Sequence, residues 1–326
     1  VRKLLQYVLK RIIMSIFVLI GVSMLIFFLL ELAPGDPALA VLGENASPEA
    51  VAEFHKIHGL DDPALVRYAR YLWNVLHGDL GTSYSNGKAV AGEILTRFPT
   101  TVLLAFLATV ATVIIGVPLG ILTAIKRGKW VDTLLSATAM IGVSMPGFWL
   151  GLMLIYAFSL KIGWLPASGF YGPVYWILPT VTMAAASAAA VMRTMHSSML
   201  EVVRQDYIRT ARAKGVVESR IIFHHMLRNS LIPVITVIGL QISLLFGGTM
   251  VIETVFSIPG LGKFLVTALK ARDYPICQGG VLLVSCSYSI VSLGCDLLYA
   301  FLDPRIRASY QGKKKSDRKA VEKNGK

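Results

Sequence analysis

Between Arg11 and Glu31 the chain runs for 19 residues without a charge, IIMSIFVLIGVSMLIFFLL. About 20 mostly apolar residues suffice to cross the hydrocarbon core of a bilayer. Inside lipid every backbone N–H and C=O must be satisfied within the segment, so a run of this kind is a helix. Charge-free runs of 28 residues lie between Arg97 and Lys126 and between Asp132 and Lys161, and each holds one more span. The run Ile162 to Met192 opens with the turn-rich GWLPASGFYGP, which places its helix at Tyr175 to Thr194. A fifth span follows Pro233 and ends near Glu253; a sixth runs from Cys277 to Leu302. At 55% hydrophobic and 16% charged, the 326 residues lack the charges a soluble domain needs to cover its surface. The expectation is an all-α, polytopic membrane protein with six transmembrane helices. The residues PALA after the first run imitate a signal-peptidase site, but the run exceeds the 7–15 residues of a signal core and reads as a span.

Lys and Arg fix the orientation. Segments 1–11, 126–132, 193–230 and 303–326 carry 23 of them, against 9 in segments 31–97, 161–174 and 253–273. Both termini are therefore expected in the cytoplasm and the 31–97 segment outside, where its nine acidic residues outnumber its five basic ones. Within it SPEAVAEFHKIHGL and ALVRYARYLWNVL read as two short helices folded over the membrane surface. The net charge of +13 sits in short inner loops and the tail, which topology explains without a nucleic acid. His55, His58 and His77 are spaced too irregularly for a metal site, and Cys277, Cys286 and Cys295 imply neither a metal nor a disulfide.

No phosphate loop of the form G-x-x-x-x-G-K-[ST] is present: five residues before Gly87, Gly128, Gly262 and Gly312 stand Thr82, Thr123, Ser257 and Arg307. A proton-coupled secondary transporter, the alternative from another class, would need ionisable groups inside the membrane. Asp296 is the candidate, and it falls near the inner end of its span. Neither feature supplies energy coupling, and the stretch that stands out between the spans is DYIRTARAKGVVESRIIFHHMLRNSLIPV. From Glu201 to Lys214 strong helix formers set Val203, Tyr207 and Ala211 on one i, i+4 line; Gly215 stops that helix, and a second runs until Pro233 opens the fifth span. A rigid helix seated in a partner that closes on ATP could carry that closure into the attached membrane helices.

Seven motifs in order, APGDP, GDLGTSY, SMPGFWLGL, DYIRTARAKG, ETVFSIPGLG, RDYP and DLLYAFLDPRIR, span nearly the whole chain. Together they resemble the permease subunits of binding-protein-dependent ABC importers in the dipeptide, oligopeptide and nickel class. The resemblance implies a type I ABC importer permease fold in a bacterial or archaeal cytoplasmic (inner) membrane. It implies a second homologous permease, two ATP-binding subunits that hold ATP and Mg, and an extracytoplasmic substrate-binding protein, with no cofactor in this chain. It implies a pore-forming subunit rather than an enzyme. Short peptides are the expected substrate, with a nickel or other metal complex, glutathione or an opine as alternatives within the class.

The resemblance also assigns residues. The coupling segment carries Asp206, Arg209, Thr210, Ala211, Arg212, Gly215 and Glu218, with Arg209 standing where the general family signature has Glu. Pathway or gate candidates are Ser144, Met145, Pro146 and Phe148 in the third span, and Glu253, Phe256 and Pro259 in a scoop-like external loop. The chain then divides into a cytoplasmic N-terminus with the first helix (1–31), an external region (32–97), a core of five helices (98–302) holding the coupling loop 195–232, and a basic cytoplasmic tail (303–326).

Overall fold

The computed structural model describes residues 2–302, so the basic tail lies outside the described residues. Every element there is helical. In chain order they are α1 (Arg2–Glu31), α2 (Pro37–Leu42), α3 (Pro48–His58), α4 (Ala64–Leu76), α5 (Val90–Ile125), α6 (Trp130–Ser144) and α7 (Gly147–Leu154). A π-helical turn, Ile155–Lys161, continues α7 and is followed by α8 (Pro173–Val202), α9 (Asp206–Ala213) and α10 (Glu218–Arg220). A second π-helical turn, Ile221–Met226, leads into α11 (Leu227–Val255), and α12 (Leu261–Lys270) and α13 (Tyr274–Leu302) complete the order. Among the described residues five helical stretches are long and apolar enough to cross a membrane, or six if the bent pair Trp130–Ser144 and Gly147–Lys161 is one broken span.

Local chemistry explains the short helices. Pro37 and Pro48 open α2 and α3 at the position where a missing N–H costs nothing. Asp36 accepts from the Ala38 N–H and Ser47 from the Ala50 N–H, each capping its helix. The break between α6 and α7 falls at Met145 and Pro146, as SMPGFW predicts.

Three boundaries differ from the sequence expectation. Helix α5 starts at Val90 although Arg97 lies within it. The Arg97 guanidinium is 3.0 Å from Glu93 one turn back and lies 3.9 Å over the Phe264 ring, so its charge is paired and stacked without ending the helix. Helix α8 runs to Val202, past the expected Thr194. Pro233 does not open the fifth span: α11 begins at Leu227 and contains it. Near the start of α11, Ser198 Oγ donates to the Ser230 carbonyl at 3.1 Å and ties α8 to α11 three residues before that proline.

The chain forms two compact units. The first comprises Val1–Ala108, Met145–Ala184 and Leu244–Ser289. Its apolar core has one cluster with Leu30, Val90, Ile94, Leu261, Leu265 and Ile276, and another with Leu104, Leu178, Ile252, Phe256 and Ile258. The second comprises Thr109–Ser144, Ala185–Ser243 and the chain from Ile290. Its core gathers Val191, Met195, Met199, Ile208, Ile221, Met226 and Val234. There α5 meets α8 at two glycines one turn apart: a Cβ on Gly116 would lie 2.8 Å from the Ala188 carbonyl, and one on Gly120 2.7 Å from that of Met192. Small residues at this spacing let two membrane helices approach backbone to backbone.

Candidate functional site

The segment from Val203 to Met226 lies in the second unit. Helix α8 ends at Val202, and Gln205, in extended conformation, starts α9 afresh with Asp206 in its first turn, where a carboxylate favours the helix dipole. The sequence reading began this helix at Glu201 and put Val203, Tyr207 and Ala211 on its apolar line. The helix starts at Asp206 after a break at 203–205, and of that line Val203 and Ala211 do pack against the core while Tyr207 does not. Ile208 is the residue fully buried among Val191, Met195, Met199 and Ile221, whereas Tyr207 is 44% exposed. One fully buried side chain, Ile208, with the partly buried Ala211 beside it, thus anchors an eight-residue helix whose remaining side chains are exposed.

Its far end is a complete left-handed cap. Gly215 has φ +73°, its N–H donates to the Arg212 carbonyl at 2.9 Å, and the Val216 N–H reaches the Ala211 carbonyl at 3.2 Å. A Cβ on Gly215 would meet nothing within 4 Å, so glycine is required by backbone conformation and not by crowding. Across this turn Arg212 grips Glu218 with two hydrogen bonds, Nε to Oε2 at 3.1 Å and Nη2 to Oε1 at 2.5 Å. This pairing and the Glu218 charge hold the Arg212 guanidinium above its already high ordinary pKa. Arg209 is exposed and has no ion-pair partner among the described residues. Thr210 turns its hydroxyl back to the Asp206 carbonyl at 2.9 Å. The coupling candidates therefore sort into a pair that braces the turn (Arg212, Glu218), a stop (Gly215) and an outward-facing cation (Arg209).

The pathway candidates lie apart from that segment in sequence and fall into two kinds. Ser144, Pro146, Phe148 and Pro259 are exposed, and Met145 is half-buried. Glu253 and Phe256 are buried, at 0% and 1% exposure. Two motifs meet here within the first unit: a Cβ on Gly151 of SMPGFWLGL would lie 3.1 Å from the Phe256 ring of ETVFSIPGLG.

Glu253 serves the backbone. Its carboxylate accepts from the Thr101 hydroxyl at 2.6 Å and from the Lys263 N–H at 2.9 Å, and Thr101 in turn accepts from the Leu261 N–H at 2.8 Å. Gly260, the residue before α12, has no side chain to cap it, so Glu253 and Thr101 supply from α11 and α5 the acceptors that a local Ser or Asp would provide. Thr101 was not singled out in the sequence, and nothing in a Thr inside an apolar run would have marked it.

Asp273, between α12 and α13, does the same for another loop. It is 1% exposed and accepts from Ser83 Oγ at 2.5 Å and from the N–H groups of Tyr84 and Ser85 at 3.1 and 3.2 Å. Arg272 beside it adopts φ +54° and donates to the Gly35 carbonyl at 3.1 Å. The motifs APGDP, GDLGTSY and RDYP are thus one knot.

The histidines take ordinary roles around it. His55 Nε2 lies 2.9 Å from Asp36, His77 Nδ1 donates to the Trp73 carbonyl at 2.8 Å, and the His58 ring packs 4.6 Å from that of Tyr84. Burial works to raise the Asp36 carboxyl, but the His55 hydrogen bond, the Ala38 N–H and the charges of His55 and Arg272 outweigh it and hold the carboxyl below its ordinary value. Burial pushes the Tyr84 hydroxyl up to about 12. Among the described residues no group of three or more His, Cys, Asp or Glu is placed to hold a metal ion.

Residues 116–308 match the model of the binding-protein-dependent transport system inner membrane component, and residues 4–105 match the model of that component's N-terminal region. The chain is 42% identical over 304 residues to a glutathione transport system permease protein of Salmonella paratyphi A, covering 93% of this chain and 99% of that protein. It is 40% identical over 332 residues to a dipeptide transport system permease protein of Alkalihalophilus pseudofirmus, covering 93% and 100%. A chain of the inward-facing MetNI methionine ABC transporter superposes with a TM-score of 0.54 at 18% identity, covering 64% of this chain and 96% of that one, which is likeness of fold.

Proposed function

This chain belongs to the family of binding-protein-dependent transport system inner membrane components, the permeases of ABC importers, and on that footing we propose that it forms half of a translocation pathway for short peptides. The family works in the inner membrane with a partner permease, an ATPase and a binding protein. In this reading a second permease completes the pathway, two ATP-binding subunits hydrolyse MgATP, and both termini of this chain are cytoplasmic. The names of the relatives support the substrate class, since dipeptides and glutathione are both short peptides.

The observation that carries the coupling role is the construction of α9. A helix held by one buried side chain, Ile208, and closed by a left-handed glycine is stiff in itself and open on its outer face. Arg209 on that face is the docking cation, and Arg212 is kept for the brace to Glu218. Ser144, Met145, Pro146 and Phe148, at the break of the third span, line the pathway. Glu253 and Phe256 hold the neighbouring loop, and Pro259 is at its exposed tip.

The test is substrate-stimulated ATP hydrolysis by the reconstituted importer. With Arg209 replaced, the expected order is wild type above Lys above Glu, because Lys keeps the charge and loses the planar fork. Equal activity in all three, with normal insertion, would remove Arg209 from the contact. Candidate peptides are assigned by screening them on the binding protein.

A further inference from the structure

Helix α4 has three faces. At 3.6 residues per turn, successive side chains step by about 100° around the axis. Tyr68, Tyr71 and Val75 fall on one side, Arg67, Arg70 and Asn74 on a second, and Leu65, Ala69, Leu72, Trp73 and Leu76 on a third. The tyrosine face is packed. The ring of Tyr68 lies 5.3 Å from that of Phe27 and 5.9 Å from that of Phe28, and burial pushes the Tyr71 hydroxyl up to about 12. The arginine face is satisfied: Arg67 pairs with Glu31 at 2.8 Å and Arg70 with Asp62 at 2.7 Å. The third face is apolar and uncovered, with Leu65, Trp73 and Leu76 at 70%, 65% and 80% exposure.

The contact with α1 sets the depth of that face. Tyr68 Oη lies 3.0 Å from Ser23 Oγ and donates to the Ile20 carbonyl at 3.3 Å, and both residues are inside the span Val8–Glu31. Arg67 reaches the other way, to Glu31 at the end of that span. So α4 crosses α1 at Phe27, about 6 Å inside Glu31 at 1.5 Å per residue. Beside it α1 presents its own exposed apolar surface, a shallow groove of about 370 Å³ lined by Gly21, Met24, Leu25, Phe28, Leu29 and Leu32. Phe28 belongs to both the groove and the contact with Tyr68.

We infer that the Leu65, Trp73 and Leu76 face of α4 is inserted in lipid, at the headgroup–acyl boundary of the leaflet at the Glu31 end of α1. The occupant follows from continuity: α1 spans the membrane, its exposed face is bathed in acyl chains, and the third face of α4 extends that surface at the same depth. A Trp and two Leu beside a polar, ion-paired face are the side chains that such a boundary accepts. Helix α3 offers the contrast. Its exposed positions include Glu49, Glu53 and Lys56, with Ile57 its one large apolar side chain in the open.

The experiment uses the full chain in its reconstituted importer, in nanodiscs, with Trp73 as this chain's sole tryptophan after Trp130, Trp149, Trp164 and Trp176 are each changed to Phe, and the emission of the same complex carrying Trp73→Phe is subtracted. Interfacial helices bury their apolar face roughly 5–10 Å below the headgroups, so emission should fall about twofold in bilayers brominated near the headgroup end of the chains and should resist aqueous iodide. Quenching by iodide with none by bromolipid would place the face in water and overturn the inference. Protection from both would mean that a protein, either permease or binding protein, covers it, and would overturn it equally. Because four substitutions could perturb folding, a nitroxide at Leu76→Cys in a cysteine-free chain gives an independent reading. It should be relaxed more by oxygen than by a nickel chelate, with the reverse at Arg70→Cys, and equal behaviour at the two positions would refute the orientation.

Discussion

The loops of the first unit and the coupling segment of the second are closed by opposite means. Around α12, two buried carboxylates do the work: Glu253 accepts from Lys263 and, with Thr101, closes the start of the helix, while Asp273 ties the turn at Ser83 to Ser85. Their partners come from residues up to 190 positions away. Around α9 the corresponding pair, Arg212 and Glu218, is six residues apart and about half exposed. Buried polar latches are expensive to leave unmade, whereas exposed pairs are worth little. The first construction fixes loops to one another, and the second stiffens a short helix without tying it to distant parts of the chain. A helix that must seat in a partner needs the second kind.

The largest effect should follow from breaking a latch. Asp273→Ala leaves the Ser83 hydroxyl and the Tyr84 N–H without their acceptor, while the exposed Ser85 N–H keeps Ser83 Oγ at 3.2 Å, and a buried unpaired donor costs about 1–3 kcal/mol. Glu218→Ala removes an exposed pair and should cost under about 1 kcal/mol. Thermal unfolding of the purified proteins should show a large loss of midpoint for the first and nearly none for the second. Similar midpoints would end the distinction.

The second unit has its own rigid part, which sharpens the comparison. Gly120→Val places carbon against the Met192 carbonyl and the Met195 side chain, where α5 and α8 are in backbone contact. Overpacking of this kind costs about 1–3 kcal/mol. The same change at Gly21, where a Cβ meets nothing within 4 Å, should be silent in yield and melting of the solubilised protein. If both were silent, glycine packing would not hold this pair of helices.

How much of this was legible in the sequence depends on the range over which the physics acts. The spans were readable because bilayer thickness sets one length for all of them, and α3 and α4 because the cap of α3 and the periodicity of α4 are local. The start of α5 was not, since counting charge-free residues stops at Arg97, whose charge is neutralised by Glu93 and stacked on Phe264. Ile208 was missed because the helix starts afresh after the break at 203–205, and no residue there forces a break. The spacing of Gly116 and Gly120 was visible and could have been used. The latches were out of reach: SYS and RDYP carry no sign in a single sequence that they meet.

A smaller effect tests the coupling segment. Gly215→Val meets no neighbour, so its cost is the left-handed backbone alone, about 1–2 kcal/mol, and it falls on the turn between α9 and α10. Assembly should persist while peptide-stimulated ATP hydrolysis and uptake separate, hydrolysis continuing with less transport. Gly215→Asn, which tolerates the left-handed region, should restore most of the loss. Wild-type transport by the Val variant would show that the turn does not set the direction of α9.

The smallest expected effect concerns pH and the knot around Asp273. Burial lowers the His58 pKa below its ordinary 6.5, and the Asp273 charge works against that shift without cancelling it. The folded state therefore holds His58 neutral at a pH where the unfolded chain would begin to protonate it. The unfolded state binds more protons between the folded value and 6.5, so stability rises with pH across that window and is lost as the pH falls from 6.5 toward the folded value. The ring is only partly buried, so solvent screening keeps the effect small. Phe54 at 4.4 Å and Tyr84 at 4.6 Å would then stack against an imidazolium, and an aromatic face attracts a cation, which narrows the loss further. His58→Gln removes the titration and keeps a polar side chain, so the wild type should lose slightly more melting temperature than the variant between pH 7.5 and 5.5. Asp36 would not confound the comparison, since its carboxyl is held below its ordinary 3.8 and stays ionised throughout. A wild type that loses no more than His58→Gln would mean that His58 is solvated in the membrane-bound protein and that the knot is held by Asp273 alone.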